Sequence, residues 1–284
     1  MFYNVRYLRS VGLELPQFAY LQKLNNEQKI STYSSAPHFA NTLVVCSTVK
    51  LKDMFSYYGS KSKIVDYYPP PKHKRIIEPF AGSARYSLKY WRNDVLLVDK
   101  FETIANLWKW LQTQTPNDIL GLPNMDKGED LRLIDIPKEA KVLIGFCINR
   151  GSVTPKNIAS GFNNWNEDKK RIAGELHKIK HWQIKQGCYT DLENETATWF
   201  IDPPYQFGGE HYKESANEIN FDLLSEWCKE RTGQTIVCEN TKAKWLPFKP
   251  VTEFNGAYDR TVEAIWSNHK TNYDNVQVSL FEGM

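Results

Sequence analysis

Lys74-Arg75-Ile76-Ile77-Glu78-Pro79-Phe80-Ala81-Gly82-Ser83-Ala84-Arg85-Tyr86-Ser87-Leu88-Lys89-Tyr90-Trp91, followed at once by Asp94-Val95-Leu96-Leu97-Val98-Asp99, decides the fold. The first apolar run is short and reads as a buried strand. It runs into small residues, Ala81 to Ala84, and then into a helix-like stretch from Arg85 to Trp91. A second strand follows and ends on an acid, Asp99. Strand, small-residue turn, helix and strand form the opening unit of a doubly wound α/β sheet. Small residues in such a turn let a ligand approach the backbone, and the helix N-terminus offers free N–H groups. A carboxylate at the tip of the second strand commonly accepts hydrogen bonds from ribose hydroxyls; its bland alternative is a turn or helix cap. Gly82 stands alone, without G-x-G-x-x-G, so a dinucleotide site is disfavoured.

The same alternation continues outward. Phe101 to Leu111 predicts a helix, with Ile104, Leu107, Trp108 and Leu111 on one face. Residues 115–137 are rich in loop formers. Lys138 to Asn149 suits a helix or a buried strand equally. Lys169 to Ile179 predicts a helix opened by a run of cations. Strands are expected at Trp182–Gln186, Thr198–Asp202, Thr235–Glu239, Val251–Phe254 and Val262–Trp266, with a helix from Phe221 to Arg231. Gln206 to Asn220 is polar and contains Gly208-Gly209, which suits a mobile cover over a site. Residues 1–53 differ from the rest. Only Thr42–Cys46 resembles a strand there, and the expectation is a poorly ordered extension, with Met54 an alternative start.

Bulk properties are those of an ordinary globular chain: 284 residues, 41% hydrophobic, 24% charged, net charge +3. That charge permits a polyanionic partner without implying one. Nine tryptophans and fifteen tyrosines serve the core or stack on bases. Five cysteines, at 46, 147, 188, 228 and 238, have no CxxC spacing, so neither a disulfide framework nor a metal site is expected. No apolar run reaches membrane-spanning length and no signal peptide is visible, which points to the cytoplasm.

The chemistry gathers at Trp199-Phe200-Ile201-Asp202-Pro203-Pro204-Tyr205. The two prolines cannot donate to a sheet ladder, so the strand ends beside Asp202. Their fixed φ turns carbonyls outward. A carboxylate next to a carbonyl suits a planar amine with two N–H donors, and Tyr205 offers a face for an unsaturated ring. Adenine N6, cytosine N4 and a glutamine amide all match. Acceptors on both N–H bonds favour the pyramidal amine, whose lone pair is localised and nucleophilic. A nucleoside bearing a cationic methyl, S-adenosylmethionine, completes the reaction.

Tyr57-Tyr58-Gly59-Ser60-Lys61, Glu78-Pro79-Phe80-Ala81-Gly82-Ser83, Asp99 and Asp202-Pro203-Pro204-Tyr205, in this order, resemble the Dam-like, D12-class family of N6-adenine DNA methyltransferases. Phe146 to Gly151 and Cys188 to Asp191 match further segments of that family. The resemblance covers residues 54–268, leaving 269–284 as a tail. It implies a Rossmann-like S-adenosylmethionine-dependent methyltransferase sheet, helices on both faces, and a small helical or loop DNA-recognition insert within 112–185. Tyr57, Tyr58, Gly59 and Lys61 would bind the cofactor. Glu78, Pro79, Phe80, Gly82 and Ser83 would cradle its methionine part, Asp99 its ribose, and Tyr189 and Asp191 its adenine. Asp202, Pro203, Pro204 and Tyr205 would be catalytic, with Asp202 also near the cofactor. Arg150, Lys156, Lys169 and Lys170 are candidate phosphate contacts to DNA around a flipped base. The implied enzyme is a monomer or weak dimer of the restriction-modification kind and needs no metal. Two departures stand out: Tyr where Trp is frequent in the first segment, and no large recognition insert between Arg150 and Asp202. The rival readings are the same chemistry on RNA adenine, cytosine N4 or glutamine, and a relative that binds nucleic acid without catalysis.

Overall fold

Ala197–Ile201, strand β4, is buried at every position. A strand can be apolar without alternation only when both sheet faces are covered, and β4 lies at the middle of the sheet. The computed structural model describes residues 53–273 apart from Lys63, Arg150, His211, residues 256–259 and Asn272. For residues 253–255, 260 and 261 it describes the backbone alone. The expectations for residues 1–52, Thr42–Cys46 included, and for most of the tail lie outside the described residues.

The sheet has seven strands in the order β3-β2-β1-β4-β5-β7-β6. They are β1 (Arg75–Glu78), β2 (Asp94–Asp99), β3 (Gln183–Gln186), β4, β5 (Gly233–Asn240), β6 (Lys249–Asn255) and β7 (Arg260–Ser267). The five from β3 to β5 run parallel, and β7 is antiparallel to both β5 and β6. Each segment read as a strand within residues 74–266 forms one. Strand order reverses between β1 and β4, so the carboxyl ends of those two strands open a crevice.

Side-chain alternation along each strand builds two cores. Ile76, Val95, Leu97, Phe200 and Ile236 face one side. Ile77, Leu96, Val98, Trp199, Ile201 and Val237 face the other. The helices are α1 (Arg85–Lys89), α2 (Glu102–Thr113), α3 (Pro116–Leu120), α4 (Lys138–Cys147), α5 (Trp165–Glu175) and α6 (Phe221–Lys229). Buried residues of α1 to α5 join the first core, whereas Leu224 and Cys228 of α6 join the second with Leu246. This is a Rossmann-like α/β fold with unequal cover on its two faces.

The structure settles the ambiguous segments. Lys138–Cys147 is a helix because Leu143, Ile144 and Phe146 then reach the first core together. A short helix, α3, forms in the loop-rich stretch, where Thr115 and Asp118 make a reciprocal capping box around Pro116. α5 starts four residues before the cation run. Asn163 Oδ1 takes the Trp165 N–H, and the wholly buried Trp165 ring donates to Pro123 O. The connections around α4 hold one another through backbone bonds, Leu131 N to Asn157 O and Ala159 N to Glu129 O. Buried residues of α3, α4 and α5 thus pack in the first core, on one side of the sheet.

Trp199 has no exposed surface, and its indole N–H donates to Glu195 O and Thr232 O. Trp199→Ala is expected to lower unfolding stability by about 3–5 kcal/mol. Leu223→Ala, at a position 64% exposed, should change it by no more than about 0.5 kcal/mol. Urea titrations of the two variants check the contrast.

Candidate active site

The crevice at the switch point is a cavity of about 270 Å³. Four distant segments line it: Tyr57 to Lys61, Glu78 to Arg85, Asp99 to Phe101, and the end of β4 with Asp202 and Pro204. Cys188, Tyr189 and Thr190 add a further wall, and residues from Tyr212 to Asn220 cover it. The sheet delivers these pieces because β1, β2 and β4 are adjacent and parallel, so their carboxyl ends lie side by side.

The turn after β1 is shaped by backbone. Gly82 has φ +45°, and a Cβ there would lie 3.3 Å from the Tyr57 ring. Ala84 also takes a left-handed conformation, with φ 48°, which a non-glycine residue adopts only at a cost in energy. Asp99 holds the turn. Its Oδ2 accepts the Gly82 N–H and its Oδ1 accepts the Phe101 N–H, each at 2.9 Å. Asp99 therefore serves as a turn and helix-start anchor while also lining the cavity. Burial pushes its carboxyl up to about 6, against the pull of those two N–H groups.

Glu78 is buried and its Oε1 accepts the Ser87 N–H of α1 at 2.6 Å. One helix-end N–H expected to be free is thus already engaged. Burial dominates here too and lifts Glu78 to about 8. Phe80 and Tyr189 form an aromatic corner, with ring centroids 5.4 Å apart. Tyr57 packs edge-on against Phe146 and lies near the Tyr212 ring.

Asp202 meets Lys61. Lys61 Nζ lies 2.9 Å from Asp202 Oδ1, with side-chain exposures of 8% and 21%. Burial raises the Asp202 carboxyl, and Lys61 opposes the rise. Burial alone would lower Lys61, but Asp202 and Glu263 outweigh it and hold the ammonium above its ordinary value. Lys61 Nζ also sits 4.4 Å from the centroid of the Tyr205 ring, within cation–π range. The first segment thus supplies the counter-ion of the acid at the end of β4, as well as cavity wall.

The cavity wall does not take in every residue expected at the site. Pro203 is buried and does not line the cavity; the wall is made by Asp202 and Pro204. Tyr205 is not on the wall either. Its hydroxyl donates to Glu263 Oε1 at 2.6 Å, and Lys61 stands over its ring. Asp191 does not line the cavity; its Oδ2 accepts the Cys188 N–H and closes the turn at Tyr189–Asp191. Among the basic residues, Lys169 is buried and donates to Leu122 O. Lys170 is exposed and pairs with Glu167, and Lys156 is exposed. Arg150 lies outside the described residues.

The sequence shows a cover at Gln206 to Asn220, but neither what holds that cover nor the support behind Asp202. Tyr212 donates to Tyr58 O, and Lys100 holds Glu214 at 2.6 Å and Glu218 at 3.1 Å. The Gly208-Gly209 loop was legible as a cover, but its latch on Lys100 was not. Behind Asp202 lie Glu239, which accepts the Gln206 N–H, and Glu263. An acid beside apolar residues in β5 or β7 was the available signal. Among the described residues no group of three His, Cys, Asp or Glu side chains forms a metal site, and no helix is long and apolar enough to cross a membrane.

No family model and no curated protein sequence matches the chain. Among solved structures it is similar to the Escherichia coli protein named "Putative methyltransferase yhhF", with 10% identity, 72% of this chain and 78% of that chain covered, and a TM-score of 0.31. A likeness of that strength says nothing about activity.

A paired charge in a desolvated site loses more when one partner is removed than when both are. Lys61→Met is expected to cost about 2–3 kcal/mol, and Lys61→Met/Asp202→Asn less than the sum of the single changes. A double-mutant cycle by denaturant unfolding measures the coupling, and additive losses would contradict it.

Proposed function

We propose that the protein is an S-adenosylmethionine-dependent methyltransferase acting on the N6 amine of adenine in DNA. The observation that carries this reading is the convergence of Tyr57–Lys61, Glu78–Ser83, Asp99 and Asp202 on one cavity at the sheet's switch point. Those are the segments whose order resembles the Dam-like family.

The donor set fits the cofactor. The turn at Gly82 has no Cβ to hold a ligand off its backbone. Asp99 is the acid for a ribose, and the Phe80–Tyr189 corner is apolar and aromatic enough to flank an adenine. Glu78, Asp99 and Asp202 put carboxyl groups around a ligand that carries a sulfonium. When bound, S-adenosylmethionine would supply an electrophilic methyl group: the S–CH3 bond breaks with its electron pair left on sulfur as a neutral thioether, the amine nitrogen gains the N–CH3 bond, and that nitrogen gives up one proton.

This chain's residues have the remaining work. Lys61 engages Asp202 Oδ1, which leaves Oδ2 to accept an N–H of the target amine. That hydrogen bond strengthens as the nitrogen pyramidalises, so it favours the transition state over the ground state. Pro204 shapes the wall beside Asp202, and the Tyr212–Asn220 cover keeps water out. A base in a duplex reaches Asp202 only after flipping. It would stack on Tyr205 only at the face Lys61 leaves free. Lys156 and Lys170 remain the phosphate contacts of choice.

The direct test incubates the protein with methyl-labelled S-adenosylmethionine and DNA, RNA or protein, then digests the product. N6-methyladenine in DNA is the expected product; N4-methylcytosine or methylglutamine would replace the reading with a rival. In the same assay Asp202→Ala should lower kcat by about a thousandfold, with cofactor affinity changed by no more than about threefold.

A pH dependence also follows. Glu78 titrates at about 8 and Asp99 at about 6 in the folded protein. A cationic ligand favours their ionised forms and lowers both values, so binding releases protons. Affinity for S-adenosylmethionine should therefore rise from pH 6 to pH 8, by at most about tenfold per unit for each group. Calorimetry in two buffers of unlike ionisation enthalpy reads the release. Glu78→Gln should remove the part above pH 7.

A further inference from the structure

We propose that Glu263 is a positioning residue that sets the orientation of Tyr205 and, through it, of the Lys61–Asp202 pair; this rests on the methyltransferase reading above. Glu263 belongs to β7, opposite Asn240 of β5, and has no exposed surface. A carboxyl group buried in a sheet is costly unless its partners need it, and an apolar residue would serve packing alone. Its Oε1 accepts two phenol hydroxyls at 2.6 Å each, from Tyr68 and from Tyr205. Tyr68 is itself buried against Phe200 of β4, so it gives Glu263 a fixed frame.

Tyr205 is then held at both ends. At the backbone, Gly209 approaches so closely that a Cβ would lie 2.3 Å from Tyr205 O. At the hydroxyl, Glu263 fixes the direction of the ring. Lys61 lies between that ring, at 4.4 Å from its centroid, and Asp202, at 2.9 Å. The chain of contacts Tyr68–Glu263–Tyr205–Lys61–Asp202 joins the sheet interior to the cavity wall. Among the described residues the hydrogen bonds of the Glu263 side chain are the two from the tyrosines to Oε1, and its charge acts on Lys61. Freed from Glu263, the Tyr205 ring can rotate and release Lys61, and the oxygen of Asp202 that faces the amine loses its fixed position.

The experiment compares Glu263→Gln, Glu263→Ala, Tyr205→Phe and the double variant Tyr205→Phe/Glu263→Ala in the wild-type assay. Gln keeps an acceptor oxygen, so Glu263→Gln is expected within about tenfold of wild-type kcat, with Glu263→Ala at least tenfold lower again. Cofactor KM should stay within about threefold throughout. The double variant should be no slower than Glu263→Ala alone, because Tyr205→Phe removes a contact that Glu263→Ala has already broken. A general loss of packing would instead lower the melting temperature of each variant in step with its kcat and give additive losses. Crystal structures of Glu263→Ala and Tyr205→Phe give a readout independent of turnover. A ring at position 205 unmoved in both, or additive kcat losses, overturns the proposal. If the wild-type protein methylates nothing, the methyltransferase reading fails, and the ring orientation in Glu263→Ala still decides whether Glu263 positions Tyr205. If Glu263→Ala does not fold, Tyr205→Phe decides, and an unmoved ring there overturns the proposal.

Discussion

A carboxylate at the end of a strand buried on both faces must find a cation, and the rest of the site follows from that need. β4 is apolar up to Ile201, and the prolines after Asp202 stop its ladder. Asp202 is thereby left where the hydrocarbon core meets the cavity. Its partner comes from about 140 residues earlier in the chain: Lys61, carried by the aromatic loop at Tyr57 and Tyr58. That pairing ties the first segment to the middle of the sheet. Lys61 in turn lies over Tyr205, so one cation serves two groups of the same short stretch.

The cavity has a second organising feature, a ring of acids used twice. Asp99 holds the Gly82 turn and the start of α2, and Glu78 holds the start of α1, while both face the cavity. Anchoring the backbone and facing the cavity are therefore not alternatives for these residues. A carboxyl group fixed by backbone N–H donors has little freedom left, which is an advantage when it must meet a ligand in one orientation. The polar cover is joined to the same region by Lys100, whose pairs with Glu214 and Glu218 are exposed. Such pairs are worth little each and are weakened by salt.

The strands and the outline of the cavity were legible in the sequence because they depend on local regularities. Apolar runs of four to eight residues bounded by turn residues are consistent with buried strands, and all seven segments read in that way within residues 74–266 form strands. The motif residues at 57–61, 78–83, 99 and 202 were legible because residue type and order carry the chemistry. Lys138–Cys147 could not be assigned from periodicity, since a helix and a strand both suit a short apolar run. The start of α5 was missed because Trp165 is placed by a tertiary contact, its indole bonded to Pro123 O.

The sequence by itself determined that a strand, a small-residue turn and a helix open the sheet, that an acid ends the second strand, and that Asp202-Pro203-Pro204-Tyr205 ends a buried one. Only the tertiary structure decided which partners those residues have. It placed Lys61 on Asp202, Asp191 in its own turn, Lys169 on Leu122, and Tyr205 on Glu263. The physical reason is the same in each case. A polar side chain at a core boundary bonds to whatever group the packing brings within about 3 Å, and packing partners distant in the chain leave no trace in local pattern.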